Sequence, residues 1–79
     1  MMSTYIATFY SHSGAIRFNR ELKKLGISGV MKPVPRKVSS SCGTCVQFEA
    51  ETLPPVSDEE IEGLYCRKGN EYEAVFSTL

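Results

Sequence analysis

Cys42 and Cys45 combine reactive chemistry with a distinctive spacing, because the two thiols lie three positions apart and follow a run of three serines. Small side chains and free backbone N–H groups beside a sulfur atom stabilise a thiolate by hydrogen bonding. Arg36 and Lys37, a few residues upstream, add positive charge. The thiolate is the form of cysteine that attacks, carries sulfur or binds metal. We therefore predict a reactive or ligand cysteine on a loop, with Cys42 as the stronger candidate.

Three neighbours of Cys42 have candidate roles toward a partner molecule. Gly43 lacks a side chain and would permit the close approach of another thiol. Ser41 places a small side chain and a backbone N–H next to the sulfur, and Arg36 offers charge to an anionic partner, although an arginine here is also typical of a solvated loop. The predicted catalytic residues are Cys42 and Cys45, and the predicted substrate-binding residues are Gly43, Ser41 and Arg36.

The spacing of the two cysteines also fits other kinds of site. A dithiol redox motif needs thiols that meet, but an extended segment holds their Cα atoms about 10 Å apart at roughly 3.3 Å per residue, so a turn at Gly43 would be required. Structural zinc needs four ligands, of which Cys42 and Cys45 supply two and Cys66 would supply a third. A metal site is therefore not expected, and Cys66 is interpreted as a half-buried helix residue.

Length and charge exclude several classes of protein. Residues 1–79 provide one small core, so we predict a single domain. Nine basic and nine acidic residues cancel, which leaves no charge excess that would indicate nucleic acid as a partner. We see no signal peptide and no stretch of transmembrane length. The expectation is a cytoplasmic protein without a membrane partner, where thiols stay reduced unless they work in redox chemistry or sulfur transfer.

The first half of the chain predicts a strand, a helix and an edge strand. Residues 4–10 are rich in β-branched and aromatic side chains, which suits an interior strand. After Ser11 or Ser13 as a helix cap, apolar residues recur at helical spacing until Gly26 offers a left-handed C-cap. Residues 27–34 predict a second strand, short or at a sheet edge because its proline cannot donate. The apolar stripe of the helix comprises Ala15, Phe18, Leu22 and Leu25, widened by Ile16.

The second half predicts a strand, a helix and a strand. Residues 45–50 alternate, with Val46, Phe48 and Ala50 on the buried face and Cys45 pointing away. A capping box at Ser57 and Glu60 and the helical spacing that follows predict a second helix ending near Gly69. Residues 71–76 alternate as a last strand. The order β-α-β-β-α-β is that of the ferredoxin-like fold, an α+β architecture with a four-stranded antiparallel sheet and two helices on one face.

The predicted topology indicates which residues meet. With the first and third strands taken as parallel, the loop that carries Cys42 falls at the end of the sheet where the first strand begins. His12 would then lie at the opposite end, too far to act as a base for Cys42, and is interpreted as an exposed residue at a helix start. Cys66, near the end of the predicted second helix, would lie at the same end as Cys42 and Cys45.

Four segments carry a family resemblance. They are Tyr10-Ser11-His12-Ser13, Leu25-Gly26-Ile27, Pro33-Val34-Pro35-Arg36 and, most specifically, Ser40-Ser41-Cys42-Gly43. Through them the whole chain resembles the small family of selenium/sulfur carrier protein-like domains. The resemblance implies that Cys42 holds sulfur or selenium as a persulfide or selenosulfide and passes it to an acceptor protein. Cys45 departs from the family, where a small apolar residue is more usual, and a thiol there could resolve a persulfide on Cys42 by forming a disulfide.

We therefore expect a small thiol protein that is a sulfur or selenium carrier more than a free-standing enzyme, and that needs no cofactor or metal. Its partners would be donor and acceptor proteins, with a homodimer left open. Two alternatives remain. Cys42 and Cys45 could form a dithiol redox pair, or the chain could be a non-enzymatic interaction module that pairs through the edge strand around Met31 and Lys32. The module would tolerate serine at Cys42, whereas the carrier would not.

Overall fold

The computed structural model describes residues 2–38, 40–52 and 60–77. Within these ranges the chain forms a helix and five strands. In chain order they are β1 (Ser3–Phe9), α1 (His12–Lys24), β2 (Gly29–Pro33), β3 (Thr44–Ala50), β4 (Ile61–Lys68) and β5 (Glu71–Ser77). The strands form a single sheet in the order β2-β3-β1-β4-β5, and every neighbouring pair is antiparallel.

β1 lies at the centre of the sheet, which confirms the prediction of an interior strand. It pairs with β3 along one edge and with β4 along the other. Its side chains from Tyr5 to Phe9 are all buried, so both faces of the strand are covered. A strand that is buried on both faces needs apolar or satisfied side chains throughout. Thr8, which is fully buried, donates its hydroxyl to the carbonyl oxygen of Gly63 in β4 at 3.3 Å.

α1 packs on one face of the sheet and begins where the sequence predicts. Ser11 is its N-cap residue, and the Ser11 hydroxyl oxygen accepts from the backbone N–H of Gly14 at 3.2 Å. The helix buries Gly14, Ala15, Phe18 and Leu22. Ile16 and Leu25 are 40% and 48% exposed, so the buried stripe is narrower than predicted. Gly26 follows with φ of 78°, the predicted left-handed residue.

The larger core lies between α1 and the sheet. Phe18 of α1 contacts Phe9 of β1 and Phe48 of β3, with ring centroids 5.3 and 5.8 Å apart. Tyr5 stacks on Phe48 at 5.5 Å. Val46 and Ala50 join Phe48 in this core, while Cys45 lies in the cluster on the other face, as the alternation of β3 predicts.

The opposite face of the sheet carries a smaller core. Its members are Ile6, Val38 and Cys45, with Val34, Tyr65 and Tyr72 packed against them. Val34 and Val38 belong to the connection between β2 and β3, which folds back over this face. Lys37, beside Val38, donates from its Nζ to the carbonyl oxygen of Asn70 at 2.8 Å and thereby reaches the β4–β5 turn. This connection covers part of the face that α1 leaves open.

The predicted ferredoxin-like βαββαβ fold with a four-stranded sheet and two helices is wrong. Residues 61–68, expected within a second helix, form β4, which pairs with β1 and β5. The start of β4 is buried on both faces, so its apolar residues satisfy helical spacing as well as strand spacing. Gly63 favours the strand, since glycine costs about 1 kcal/mol in a helix interior. Ser57 of the predicted capping box lies outside the described residues.

β1 and β3 are antiparallel, which corrects the predicted parallel arrangement. Ser3 pairs with Ala50 and Thr8 with Cys45. Helix α1 returns the chain to the end of the sheet where β1 starts. Strand β2 then runs in the same direction as β1, and β3 runs back antiparallel to β2. The connection between β2 and β3 therefore lies at the end of the sheet where β1 finishes and α1 begins, opposite to the predicted end.

Candidate functional site

Residues 34–43 form the cysteine loop, which connects β2 to β3 and carries Cys42 next to its last position. The backbone N–H of Val34 donates to the carbonyl oxygen of Gly43 at 3.1 Å and closes the base of the loop. Within the loop, the N–H of Val38 donates to the carbonyl oxygen of Pro35 at 3.0 Å. The loop is thus a closed excursion from the sheet, a kind of element that often carries function. Ser39 lies outside the described residues.

Two serines before Cys42 attach the loop to the centre of the sheet. The hydroxyl of Ser40 donates to the carbonyl oxygen of Phe9, the last residue of β1, at 3.4 Å. The backbone N–H of Ser41 donates to Oε1 of Glu62 at 2.9 Å, and its hydroxyl donates to Oε2 of the same carboxylate at 2.5 Å. Glu62 is only 2% exposed and lies at the start of β4. The residue that precedes the thiol is therefore held at two points by one buried carboxylate.

Cys42 is the half-buried cysteine of the chain, whereas Cys45 and Cys66 are buried. It packs against the helix-side core. Its sulfur donates to the carbonyl oxygen of Thr44 at 3.4 Å, a weak hydrogen bond that the thiolate cannot make. Cys42 is thus partly sheltered against the core and partly exposed to solvent.

Gly43 leaves open space beside Cys42. Its φ of +74° lies in the left-handed region, which glycine adopts without strain, and no atom lies within 4 Å of the position that a Cβ would take. The glycine is exposed. The predicted use of Gly43, close approach of another molecule to the thiol, is compatible with this geometry and remains a prediction.

Cys45 has a different environment. It is 0% exposed in the smaller core, and its sulfur lies 3.7 Å from the carbonyl oxygen of Pro33. Burial raises the pKa of the Cys45 thiol; the charge of Cys42 acts in the same direction, and Lys32 opposes both. Since Cys42 packs on the helix side and Cys45 on the other face, the two thiols lie in separate clusters. The second catalytic role predicted for Cys45 remains untested.

Of the two basic residues in the cysteine loop, Lys37 points away from the thiol. Lys37 pairs with Glu71 at 3.0 Å as well as with the carbonyl oxygen of Asn70, at the far end of the sheet. Both charged side chains of this pair are mostly exposed, so the interaction is weak. Arg36 is exposed on the turn before Lys37. The predicted contact of Arg36 with an anionic partner remains a prediction.

The positions of His12 and Cys66 relative to Cys42 are the reverse of those predicted. His12 begins α1 just after Phe9, whose carbonyl oxygen is bonded by the cysteine loop, so it lies at the same end of the sheet as Cys42. It is exposed, as predicted. Cys66 pairs with Tyr5, four positions before the end of β1, which places it about 13 Å along the strand from that end at 3.3 Å per residue. The expected grouping of Cys66 with the other cysteines is wrong.

Comparison with known proteins decides the family. The family described as "Putative Se/S carrier protein-like" matches residues 4–77, which is nearly the whole chain. The chain belongs to this family. A protein of Aquifex aeolicus (strain VF5) named "Putative sulfur carrier protein" is 33% identical over 81 residues, which covers 92% of the chain and 41% of that protein. The chain thus spans less than half of this relative. No solved structure matches.

The Se/S carrier-like family assignment confirms the resemblance seen in the sequence. In the part of the chain that the structure describes, no group of three or more His, Cys, Asp or Glu residues is placed to hold a metal ion. Among the same residues, no helix is both long enough and apolar enough to cross a membrane. A groove of about 810 Å³ lies along β2 and β3 and includes Val30 and Phe48 in its lining, but no residue of the cysteine loop.

Sequence reasoning missed Glu62, the residue that holds the loop of this carrier-like chain. Its signal is a carboxylate within the apolar run from Ile61 to Tyr65. Such a residue is buried only when its oxygens are satisfied, so it indicates a specific partner once the run is a strand. In the predicted helix, Glu62 did not indicate a buried carboxylate with a specific partner.

Proposed function

We propose that Cys42 is the carrier thiol of this chain and holds a sulfur or selenium atom as a persulfide or selenosulfide between a donor protein and an acceptor protein. The observation that carries the proposal is that Cys42 is the half-buried cysteine and lies on the cysteine loop, within the residues that the family matches. The other two cysteines are buried in the two cores. Reactivity follows the accessible thiolate, so Cys42 is favoured.

The transfer step needs only thiolate exchange. The Cys42 thiolate attacks the outer sulfur of a donor persulfide, R–S–SH. A new bond forms between the Cys42 sulfur and the outer sulfur while the donor S–S bond breaks, and the electron pair leaves on the donor thiolate. An acceptor thiolate then attacks the same outer atom and releases Cys42. No net oxidation occurs, and a selenium atom in the outer position would follow the same route.

The open surface beside Cys42 supports delivery to another protein. Cys42 lies on a loop next to the open space at Gly43, which leaves room for a partner to approach the thiol. A carrier requires an accessible thiol and a surface on which donor and acceptor can dock, but no enclosed pocket. The Ser41 hydroxyl donates to Glu62, so a contact between Ser41 and the carried sulfur or selenium atom would use other atoms of this residue.

Intact-mass analysis after exposure to glutathione persulfide tests the proposal. Wild-type protein should gain the mass of one sulfur atom, and cyanide should remove it as thiocyanate. Cys42→Ser should gain nothing. Cys45→Ala and Cys66→Ala, which keep Cys42, are the matched controls and should load like wild type. Loading that persists in Cys42→Ser would show that Cys42 is not the carrier thiol.

The alternatives give different results in the same experiment. A loss of two hydrogen atoms that requires both Cys42 and Cys45 would indicate a dithiol redox pair. For the interaction module, the relevant feature is the edge strand β2, where Val30 is 58% exposed. No sulfur uptake at any cysteine, with an unchanged fold in Cys42→Ser, would favour that module.

A further inference from the structure

We propose that Glu62 is the positioning residue of the carrier thiol: its buried carboxylate holds Ser41 and thereby keeps Cys42 half-sheltered, so that a sulfur atom bound there resists small thiols. This inference rests on the proposed carrier function. Glu62 is bonded to Ser41, the residue before the reacting cysteine, and acts on Cys42 through it.

The first observation is the geometry of the clamp. Oε1 of Glu62 accepts from the Ser41 backbone N–H at 2.9 Å, and Oε2 accepts from the Ser41 hydroxyl at 2.5 Å. Two parallel hydrogen bonds from one side chain to one residue fix the orientation of that residue as well as its place. The peptide that leads into Cys42 is thereby fixed relative to β4.

The second observation is the burial of Glu62. The residue is 2% exposed. Among the described residues, the buried polar or charged ones are Thr8 and Glu62. A charged side chain is buried in a small protein only at a cost, which good hydrogen bonds must offset. For Glu62, two of these bonds go to the cysteine loop. A purely structural tie could use an exposed or neutral residue at lower cost, as the Ser40 bond to the Phe9 carbonyl does.

The third observation is where the clamp leaves the thiol. Cys42 packs against the helix-side core and its sulfur donates to the Thr44 carbonyl oxygen, although the next residue, Gly43, is exposed and has open space beside it. Loss of the clamp would free Ser41 and Cys42 to swing outward. The thiol would become more exposed, and so would any sulfur atom bound to it.

The test measures two rates on Cys42 in four variants. One is alkylation by iodoacetamide across pH. The other is loss of the bound sulfur to added glutathione after loading with glutathione persulfide. Glu62→Ala should speed both at least threefold. Glu62→Gln keeps a carbonyl oxygen for the Ser41 N–H and an amide that can donate to its hydroxyl, so it should stay within about twofold of wild type. Ser41→Ala removes one of the two bonds and should fall between.

Glu60→Ala is the matched control. This carboxylate lies two positions earlier and accepts from the Ser11 hydroxyl at 2.7 Å, so its loss loosens the same end of the sheet while the two bonds between Glu62 and Ser41 stay in place. Equal acceleration in Glu60→Ala would overturn the specific role of Glu62, as would unchanged rates in Glu62→Ala. If Glu62→Ala does not fold, Ser41→Ala decides, since no acceleration there also overturns the inference. If wild type takes up no sulfur, the carrier function fails, while the alkylation rates still test the clamp.

Discussion

Alkylation of the native protein at neutral pH should modify Cys42 at least about 100-fold faster than Cys45. Cys42 is half-buried, whereas Cys45 is 0% exposed beneath the part of the cysteine loop that contains Val34 and Val38. A reagent reaches Cys45 only when those valines leave the face of the sheet. Complete burial of a valine side chain contributes about 1.5 to 3 kcal/mol. Val38 is buried and Val34 is partly buried, so exposing both costs on the order of 3 kcal/mol, and each 1.4 kcal/mol slows the reaction about tenfold.

Complete unfolding sets the upper limit on this protection. A domain of 79 residues, at roughly 0.05 to 0.15 kcal/mol per residue, has a free energy of unfolding of about 4 to 12 kcal/mol, which would slow labelling by about a thousandfold or more. The assay is iodoacetamide labelling followed by peptide mass spectrometry. The same reaction in urea, where all three cysteines are exposed, gives the reference rates. A Cys45 rate within tenfold of the Cys42 rate would refute the burial argument and reopen the dithiol pair.

Three further outcomes are expected. Burial raises the pKa of the Cys45 thiol, so as pH rises the unfolded chain loses the thiol proton before the folded chain does. The contribution of Cys45 to the free energy of unfolding is therefore fully present below its ordinary pKa of 9.0 and is lost as pH rises above that value. Thermal melts should therefore show a steeper alkaline loss of stability in wild type than in Cys45→Ala. Gly43→Val forces a β-branched residue into the left-handed region at a cost of about 1 to 2 kcal/mol, measurable by urea unfolding, and a midpoint equal to that of wild type would contradict the loop geometry. Lys37→Ala should change the free energy of unfolding by less than about 1 kcal/mol and leave Cys42 alkylation unchanged, whereas slower alkylation would show that this charge acts on the thiol.

The sequence predicts α1 and β3 well because α1 has a strong cap at each end and β3 has two distinct faces. α1 has Ser11 before it and Gly26 after it, and β3 alternates between two environments, so periodicity and end signals agree. β4 is different because it lies between β1 and β5 and is buried on both faces at its start. A continuous apolar run has no period that separates strand from helix. The capping-box pattern before it then favoured the wrong choice.

The candidate site likewise contains features that local sequence signals predict and features that depend on strand pairing. The position of Cys42 on a loop before a strand could be predicted because serine and glycine are local signals. The partner of that loop could not, because Ser41 and Glu62 are 21 positions apart and meet only through the pairing of β4 with β1. The orientation of β1 relative to β3 decided the rest. Once these strands are antiparallel, the cysteine loop moves to the end that carries His12, and Cys66 moves away from it.

The contrast between Cys42 and Cys45 favours a carrier over a redox pair. A disulfide requires Cα atoms about 4.4 to 6.8 Å apart and thiols that point toward each other. Here Cys42 packs toward the helix-side core, and Cys45 is held in the smaller core with Ile6 and Val38. Oxidation of the pair would have to bring Cys45 out of that core or turn the start of β3. A buried cysteine behaves as a small apolar residue, so Cys45 can serve the core without taking part in the chemistry of Cys42.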